Sequence, residues 1–295
     1  RDFSATFVIG GIREVSALRL HRNSADQLIE LADELSSWAA SYPEELPLGL
    51  EGPIRVRANA RGRAGGSAAQ AGERSRRSEG RLPSGRHDLP RDLVVKSQRE
   101  RIVDATASIV AEKGFAGLTI PEIASRANVS HETFYEMYPT KHDAFLGAQR
   151  VGLHQALRVT HEAYHSCEND WPQRIASSMQ ALTSYVASEP DHAHLTLVAT
   201  FGSSPQAVEI RANALGAFAG YLSAGYDHAP EQIGVPAIAA EAVAGGVWQI
   251  LHQYTEHKRL HELGEAAPQL IFLTLSPFIG AESAADVARR SIELR

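Results

Sequence analysis

The residues from Gln98 to Lys141 constrain the fold more tightly than any other stretch, because helix signals and helix breakers alternate there at short range. Ile102, Ala105 and Ile109 recur at helical spacing and Gly114 ends the pattern, which predicts a first helix from about Gln98 to Lys113. Thr119 is placed to cap a second helix. Its first turn holds Pro121, where a missing N–H costs nothing, and Glu122, an acid at the positive helix end. Ile120, Ile123 and Ala124 supply the inner face. Asn128 occupies the tight corner that follows and is one of the few non-glycine residue types that tolerate a left-handed backbone. Ser130 is expected to cap a third helix reaching Tyr138, with Phe134 and Met137 inward, and Pro139 closes it before a fourth begins at Thr140-Lys141.

A helix held against its predecessor by a short turn can enter the major groove of duplex DNA. Its groove side would be His131, Glu132 and Thr133, with Tyr135 and Lys141 placed for phosphates and Thr119 and Ser130 at the two helix starts. On spacing alone a plain three-helix bundle, with Tyr135 and Tyr138 as packing residues, stays open.

The run LTIPEIASRANVSHETFYEMYPTKHDAF resembles the DNA-binding signature of the TetR family of bacterial regulators. Thr119, Ile123, Ala124, Ala127, Val129, Ser130, Thr133, Phe134, Tyr135, Tyr138, Pro139 and Lys141 match it in type and spacing. The likeness is strong from Gln98 to Phe145; from there to Phe278 it rests on length and pattern. It implies an all-α protein in which a three-helix DNA-binding domain with a helix-turn-helix precedes a larger helical domain for ligand binding and dimerisation. It further implies a repressor that binds a double-stranded DNA operator as a dimer and is released by a small-molecule effector; the alternative is a helical sensor or protein-interaction module that has lost operator binding. Nothing in the sequence points to an enzyme or a cofactor, and a single cysteine is compatible with a cytoplasmic protein. The chain departs from the pattern at His131, Glu132 and Glu136, where many members carry a basic residue, a glycine and another basic residue. Lys96 to His142 holds six basic residues and six acidic ones, so the head has no net field of its own.

The rest of the 295 residues, 43% of them hydrophobic, is enough for one or two domains, and the formal charge of −6 makes any DNA footprint a local matter. Cys167 is the only cysteine, which excludes disulfide scaffolds and thiolate metal sites. Thirteen histidines include His192 and His194, and also His252, His257 and His261, but none lies in a metal-binding motif. No run is long and apolar enough to cross a membrane, and nothing resembles a signal peptide. Arg1 lies directly inside a helical pattern, so the sequence reads as a segment of something longer.

Taken in order, residues 1–42 read as a helical hairpin, broken at Asn23-Ser24 and striped by Leu28, Leu31, Leu35 and Trp38. An internal repeat says what covers that stripe. Phe7 to Val15 (FVIGGIREV) aligns with Ala242 to Ile250 (AVAGGVWQI) at a constant offset of 235, and at that offset Leu28 meets Leu263, Leu35 meets Leu270 and Trp38 meets Leu273. In the resembled family the last two helices form the dimer interface, so two expectations follow. Residues 236–278 either self-associate with a second copy or pair within the chain with residues 3–42, which would be the tail of a preceding unit.

Residues 43–95 read as a basic disordered linker, with ten arginines against five acids between Glu51 and Asp92. Residues 96–142 are the DNA-binding domain, 143–280 the ligand-binding and dimerisation domain, and 281–295 a polar, frayed tail; within the second domain one helix is expected over Ala193 to Phe201 and the last over Leu260 to Leu275, closed by Pro277-Phe278. Met179, Tyr185, Phe201, Phe218, Tyr221, Trp248 and His252 are large or polar-tipped residues on helices of the second domain and are the candidates for lining an effector cavity.

Overall fold

The computed structural model describes residues 2–22, 27–43, 45–47, 49–50, 91–167, 170–200, 204–231 and 233–293. The hairpin break at Asn23-Ser24, the arginine-rich stretch 51–90 and Phe201 lie outside the described residues. Within them all regular structure is helical. The elements are α1 (Asp2–His21), α2 (Gln27–Ala40), α3 (Arg91–Lys113), α4 (Ile120–Ala127), α5 (His131–Met137), α6 (Lys141–Ser166), α7 (Trp171–Ser188), α8 (Pro205–Ser223), α9 (Ala239–Glu256), α10 (Leu263–Ile279) and α11 (Ala281–Glu293). A single turn, Pro190–Ala193, runs into a π turn, His194–Val198, between α7 and α8.

Two cores form. The smaller gathers Ile102 and Ile109 of α3, Leu118, Ile123, Phe134 and Phe145, all fully buried, and it continues into Leu195 and Ala207 of the larger domain. The head is therefore seated on the second domain through the foot of α3. The larger core joins α6 to α11 and takes in Phe7, Leu35 and Trp38 of the amino-terminal hairpin.

The hairpin packs within the chain. α1 lies along α9, and α2 also touches α9. Glycines set the closeness. A Cβ on Gly10 would stand 2.2 Å from the Gln249 Cβ, and one on Gly245 would stand 2.7 Å from the Glu14 Cβ. A Cβ on Gly11 would meet the Ala242 carbonyl oxygen at 2.4 Å, and one on Gly246 the Phe7 ring at 2.8 Å. These contacts are reciprocal under the sequence offset: Gln249 is Glu14 moved by 235, and Ala242 is Phe7 moved by 235. Such mutual pairing is the property of a two-fold interface, realised here between two segments of one chain. Polar contacts fasten the edges. The Ile238 N–H at the start of α9 donates to Glu34 Oε2 at 3.0 Å, Arg19 pairs with Glu241 at 3.0 Å, and Gln269 Nε2 donates to the Leu50 carbonyl at 2.7 Å. Phe7, Trp38 and Tyr42 close the hairpin's inner end as an aromatic cluster, Trp38 and Tyr42 edge-on at 5.4 Å.

Four boundaries differ from the sequence reading. α3 begins at Arg91, not near Gln98, and so takes up the last residues assigned to the linker. The segment from 190 is already helical before Ala193, as the turn that leads into the π turn. α10 continues through Pro277 to Ile279 and is ended instead by Gly280, whose φ of 80° breaks it. Residues 281–293 form a helix, not a frayed tail, with Ala284, Ala285, Val287, Ala288 and Ser291 buried against α10 and α7.

Candidate nucleic-acid interface and effector cavity

Local chemistry fixes the head. At the start of α4, Thr119 has the extended backbone of a cap position, but its side chain makes no capping hydrogen bond, so Pro121 and the acid Glu122 define that helix start. Asn128 takes the left-handed conformation at φ 52°, ψ 53°, which turns the chain into α5. The Ser130 hydroxyl then accepts the Thr133 N–H at 3.0 Å, and Thr140 does the same for Asp143 at 3.2 Å at the start of α6. Phe134 is the buried anchor of α5. His131, Glu132 and Tyr135 are exposed and Thr133 half-buried, so these four expected residues share the uncovered part of one helix. Thr119 and Ser130 are exposed at the two helix starts.

Lys141 is half-buried. Its ammonium donates to the Leu118 carbonyl at 2.8 Å and stands 5.3 Å from the Phe115 ring, so one of its three donors ties α6 to the loop before α4. Other cations of the head are spent inside it. Arg126 binds Glu112 through two parallel hydrogen bonds of 2.6 and 2.8 Å and also reaches Glu122, while Lys113 pairs with Glu122 at 2.7 Å. The Arg126 hydrogen bond holds the Glu112 carboxyl below the usual carboxylate range, and that bond in turn raises Arg126. Arg101 donates to the Asn128 carbonyl at 3.1 Å, bracing the corner from α3. Glu132 and Glu136 stand exposed on α5.

The larger domain encloses an apolar cavity between α6, α7, α8, α9 and α10. Met179, Tyr185, Phe218, Tyr221 and Trp248 line it. His252 does not. It lies on α9 beside Glu256, and its pKa is lowered by burial against the pull of Glu256, with Arg13 and Arg211 adding to the lowering. Burial and the nearby Glu189 carboxylate push the Tyr185 phenol up to about 12, so it stays a neutral donor to the Gly152 carbonyl at 3.2 Å. Lining residues that sequence reasoning missed include Gly152, Thr196 and Thr274. Gly152 leaves room because a Cβ there would stand 2.8 Å from Thr196 Cγ2. His192, weighed in the sequence only as a metal ligand, lines the cavity too, and among the described residues no cluster of three metal-ligating side chains occurs.

Behind the Trp248 ring, Arg211 of α8 lies 5.9 Å away and pairs with Glu14 of α1 at 3.1 Å, both side chains more than nine-tenths buried. Among the described residues no helix is long and apolar enough to cross a membrane.

Residues 102–147 match the family model for bacterial regulatory proteins of the tetR family. Three solved structures share the wider fold. The fatty acid degradation regulator FadR from Bacillus halodurans is 15% identical at a TM-score of 0.55, over 60% of this chain and 94% of that one. FadR from Bacillus subtilis, solved in complex with stearoyl-CoA, is 17% identical at 0.53, over 60% and 98%. A tetR-family regulatory protein from Rhodococcus is 21% identical at 0.51, over 62% and 98%. Identities this low speak for the fold alone. A search of curated proteins gave no match.

Proposed function

We propose that this chain is a DNA-binding transcriptional regulator of the tetR type, a repressor that lets go of its operator when a small molecule fills the cavity. The observation that carries the reading is the uncovered face of α5, where His131, Glu132, Thr133 and Tyr135 stand together on a helix whose start is fixed by Ser130. α4 braces α5 from behind, and the Arg126 network locks α4 to α3. An effector acts only by binding one arrangement of the head more tightly than the other, since equal affinity shifts nothing. The Bacillus subtilis relative is seen with stearoyl-CoA. That a protein of this fold takes up a ligand supports the reading.

The docked hairpin takes up the α9 face about an internal two-fold, and we infer that it stands in for a second copy, giving one head per chain. Light scattering of the purified protein should then give the mass of a single chain; a dimer that survives dilution would remove this point.

The test of the DNA reading is a gel shift across the protein's own upstream region, repeated with Tyr135→Ala and Lys141→Ala. A sequence-dependent complex at low salt, weakened about tenfold by Tyr135→Ala, is the expected result. A second reading, a helical sensor or interaction module without operator binding, is favoured by Glu132 and Glu136 on the exposed face and by the engagement of Arg126, Lys113 and Arg101 within the head. Absence of any such complex would support it.

A further inference from the structure

The hydroxyls that line the cavity are mostly satisfied by their own helices. Thr160, Ser178 and Thr196 donate to carbonyls one turn back, at 2.7, 2.8 and 2.8 Å. Tyr185 donates to Gly152, and the Tyr221 hydroxyl lies 3.0 Å from His161 Nδ1. Against that background three polar atoms stand out. Trp248 Nε1, Thr274 Oγ1 and His192 Nδ1 belong to cavity-lining side chains that are 4%, 0% and 8% exposed, and among the described residues none of the three atoms has a hydrogen-bond partner. Polar atoms left unmade inside a protein are costly, so a group that completes them is bound with a gain.

The chemistry of the three atoms limits that group. An indole N–H only donates, so Trp248 needs an acceptor; a threonine hydroxyl takes either role. His192 is more particular. Its Nε2 lies 3.2 Å from Asp104 Oδ1 on α3, and in the tautomer whose Nε2–H donates to that carboxylate Nδ1 is the lone-pair nitrogen, 3.6 Å from where a Cβ on the lining residue Gly152 would stand. Charge limits it further. Among the described residues Glu189 is the only Asp, Glu, Lys or Arg that lines the cavity. A carboxylate or phosphate ligand would therefore be desolvated with no cation in the wall and an anion near it.

We propose that the cavity takes an uncharged, largely apolar molecule bearing hydroxyl or carbonyl oxygen, held by Trp248, Thr274 and His192, and that His192 passes its presence to the head through Asp104. This rests on the reading of the cavity as the effector site and names its ligand class and its link to α3. His192 is the only one of the three that touches both domains. A ligand hydroxyl on Nδ1 fixes the ring's tautomer and position, and with them the Nε2 contact to Asp104 on the helix that carries the head.

The test uses the full chain and three probes of one length, 1-hexanol, 2-hexanone and hexanoate, with calorimetry for affinity and amide hydrogen exchange over residues 98–113 for the link. The two neutral probes are expected to bind saturably, and hexanoate at least about tenfold more weakly. Trp248→Phe keeps the ring shape and should weaken 2-hexanone about fivefold, the size of one neutral hydrogen bond. Thr274→Val gives an independent arm should the first variant fold poorly. Asp104→Asn is read on the link alone and should abolish the exchange change that 1-hexanol causes in α3 at saturating probe. The proposal is overturned if neither neutral probe binds up to its solubility limit, if hexanoate binds as tightly as 2-hexanone, if both cavity variants leave affinities unchanged, or if Asp104→Asn responds as the wild type does. None of these readouts involves DNA, so a failure of operator binding leaves them decisive.

Discussion

The two copies of the internal repeat share one apolar phase and differ in what stands behind them. On the side facing the two-fold both are buried: Phe7 in α1 and its counterpart Ala242 in α9 are each 0% exposed. On the other side they part. Ile9 is 64% and Leu20 56% exposed, whereas their counterparts Ala244 and Thr255 are 5% and 4% exposed, because the whole second domain backs α9. At these two pairs the larger side chain sits where nothing crowds it and the smaller one where the core does. Polarity is asymmetric as well. Glu14 is charged and reaches the buried Arg211, while its counterpart is the neutral Gln249. A shared hydrophobic pattern therefore fixes which faces meet, and the surrounding body decides what each remaining position must be.

The largest effect that could break this comparison lies at Glu14. Its removal leaves Arg211 buried without that partner, so Glu14→Ala should lose about 3–5 kcal/mol in urea unfolding. Gln249→Ala, with no charge to strand, should cost only about 1 kcal/mol. Equal losses would erase the asymmetry. Next comes the glycine seam. Gly11→Ala puts a Cβ against a backbone carbonyl and should destabilise by about 1–3 kcal/mol, whereas Gly216→Ala, in open space on α8, should stabilise by about 1 kcal/mol. The same sign at both sites would deny the close approach.

A smaller effect is expected in pH. Burial raises the Glu14 carboxyl above 4.5, against the opposing pull of Arg211 and then Arg13. The folded chain keeps that proton where the unfolded chain has released it, so this contribution to stability falls as pH climbs from about 4.5 through the raised value. Thermal midpoints of Glu14→Gln should lack that decline, and a profile parallel to the wild type would count against the burial. The smallest effect is at the bare face: Ile9→Ser should stay within about 0.5 kcal/mol in urea unfolding, and a loss well above that would mean that this face is covered.

What could be read from the sequence follows the range of the forces involved. The Asn128 corner, the Ser130 cap and the anchor Phe134 depend on neighbours a few residues away, and their residue types announce them. The docking of α1 on α9 was legible too, through paired glycines at a fixed offset. The early start of α3 was hidden because Leu93 and Val95 are exposed, so its first turns carry no apolar stripe to detect. α11 was missed for a related reason: its buried face is made of Ala284, Ala285 and Ala288 with Val287, residues too small to mark a periodicity by bulk. Pro277 misled because a proline ends a helix only if its neighbours cannot do without one hydrogen bond, and α10 is held by burial on every side. In the cavity the large residues were visible and the decisive one was not. His192 carries no motif, and its importance comes from standing between Asp104 and the cavity, a juxtaposition made by tertiary packing.

The π turn at His194–Val198 closes on itself through the Ala199 N–H and the His194 carbonyl, 3.0 Å apart. Such a turn holds one residue more than an α-helical turn needs. The bulge absorbs that surplus locally, so excising it would leave the flanking faces near their present phase, whereas removing a residue from ordinary helix beside it would swing one side through about 100° against the other. A one-residue deletion inside the bulge should therefore leave His192 facing Asp104, while one placed just outside it would turn that ring away, so the slack in this turn marks where the chain tolerates a change of length.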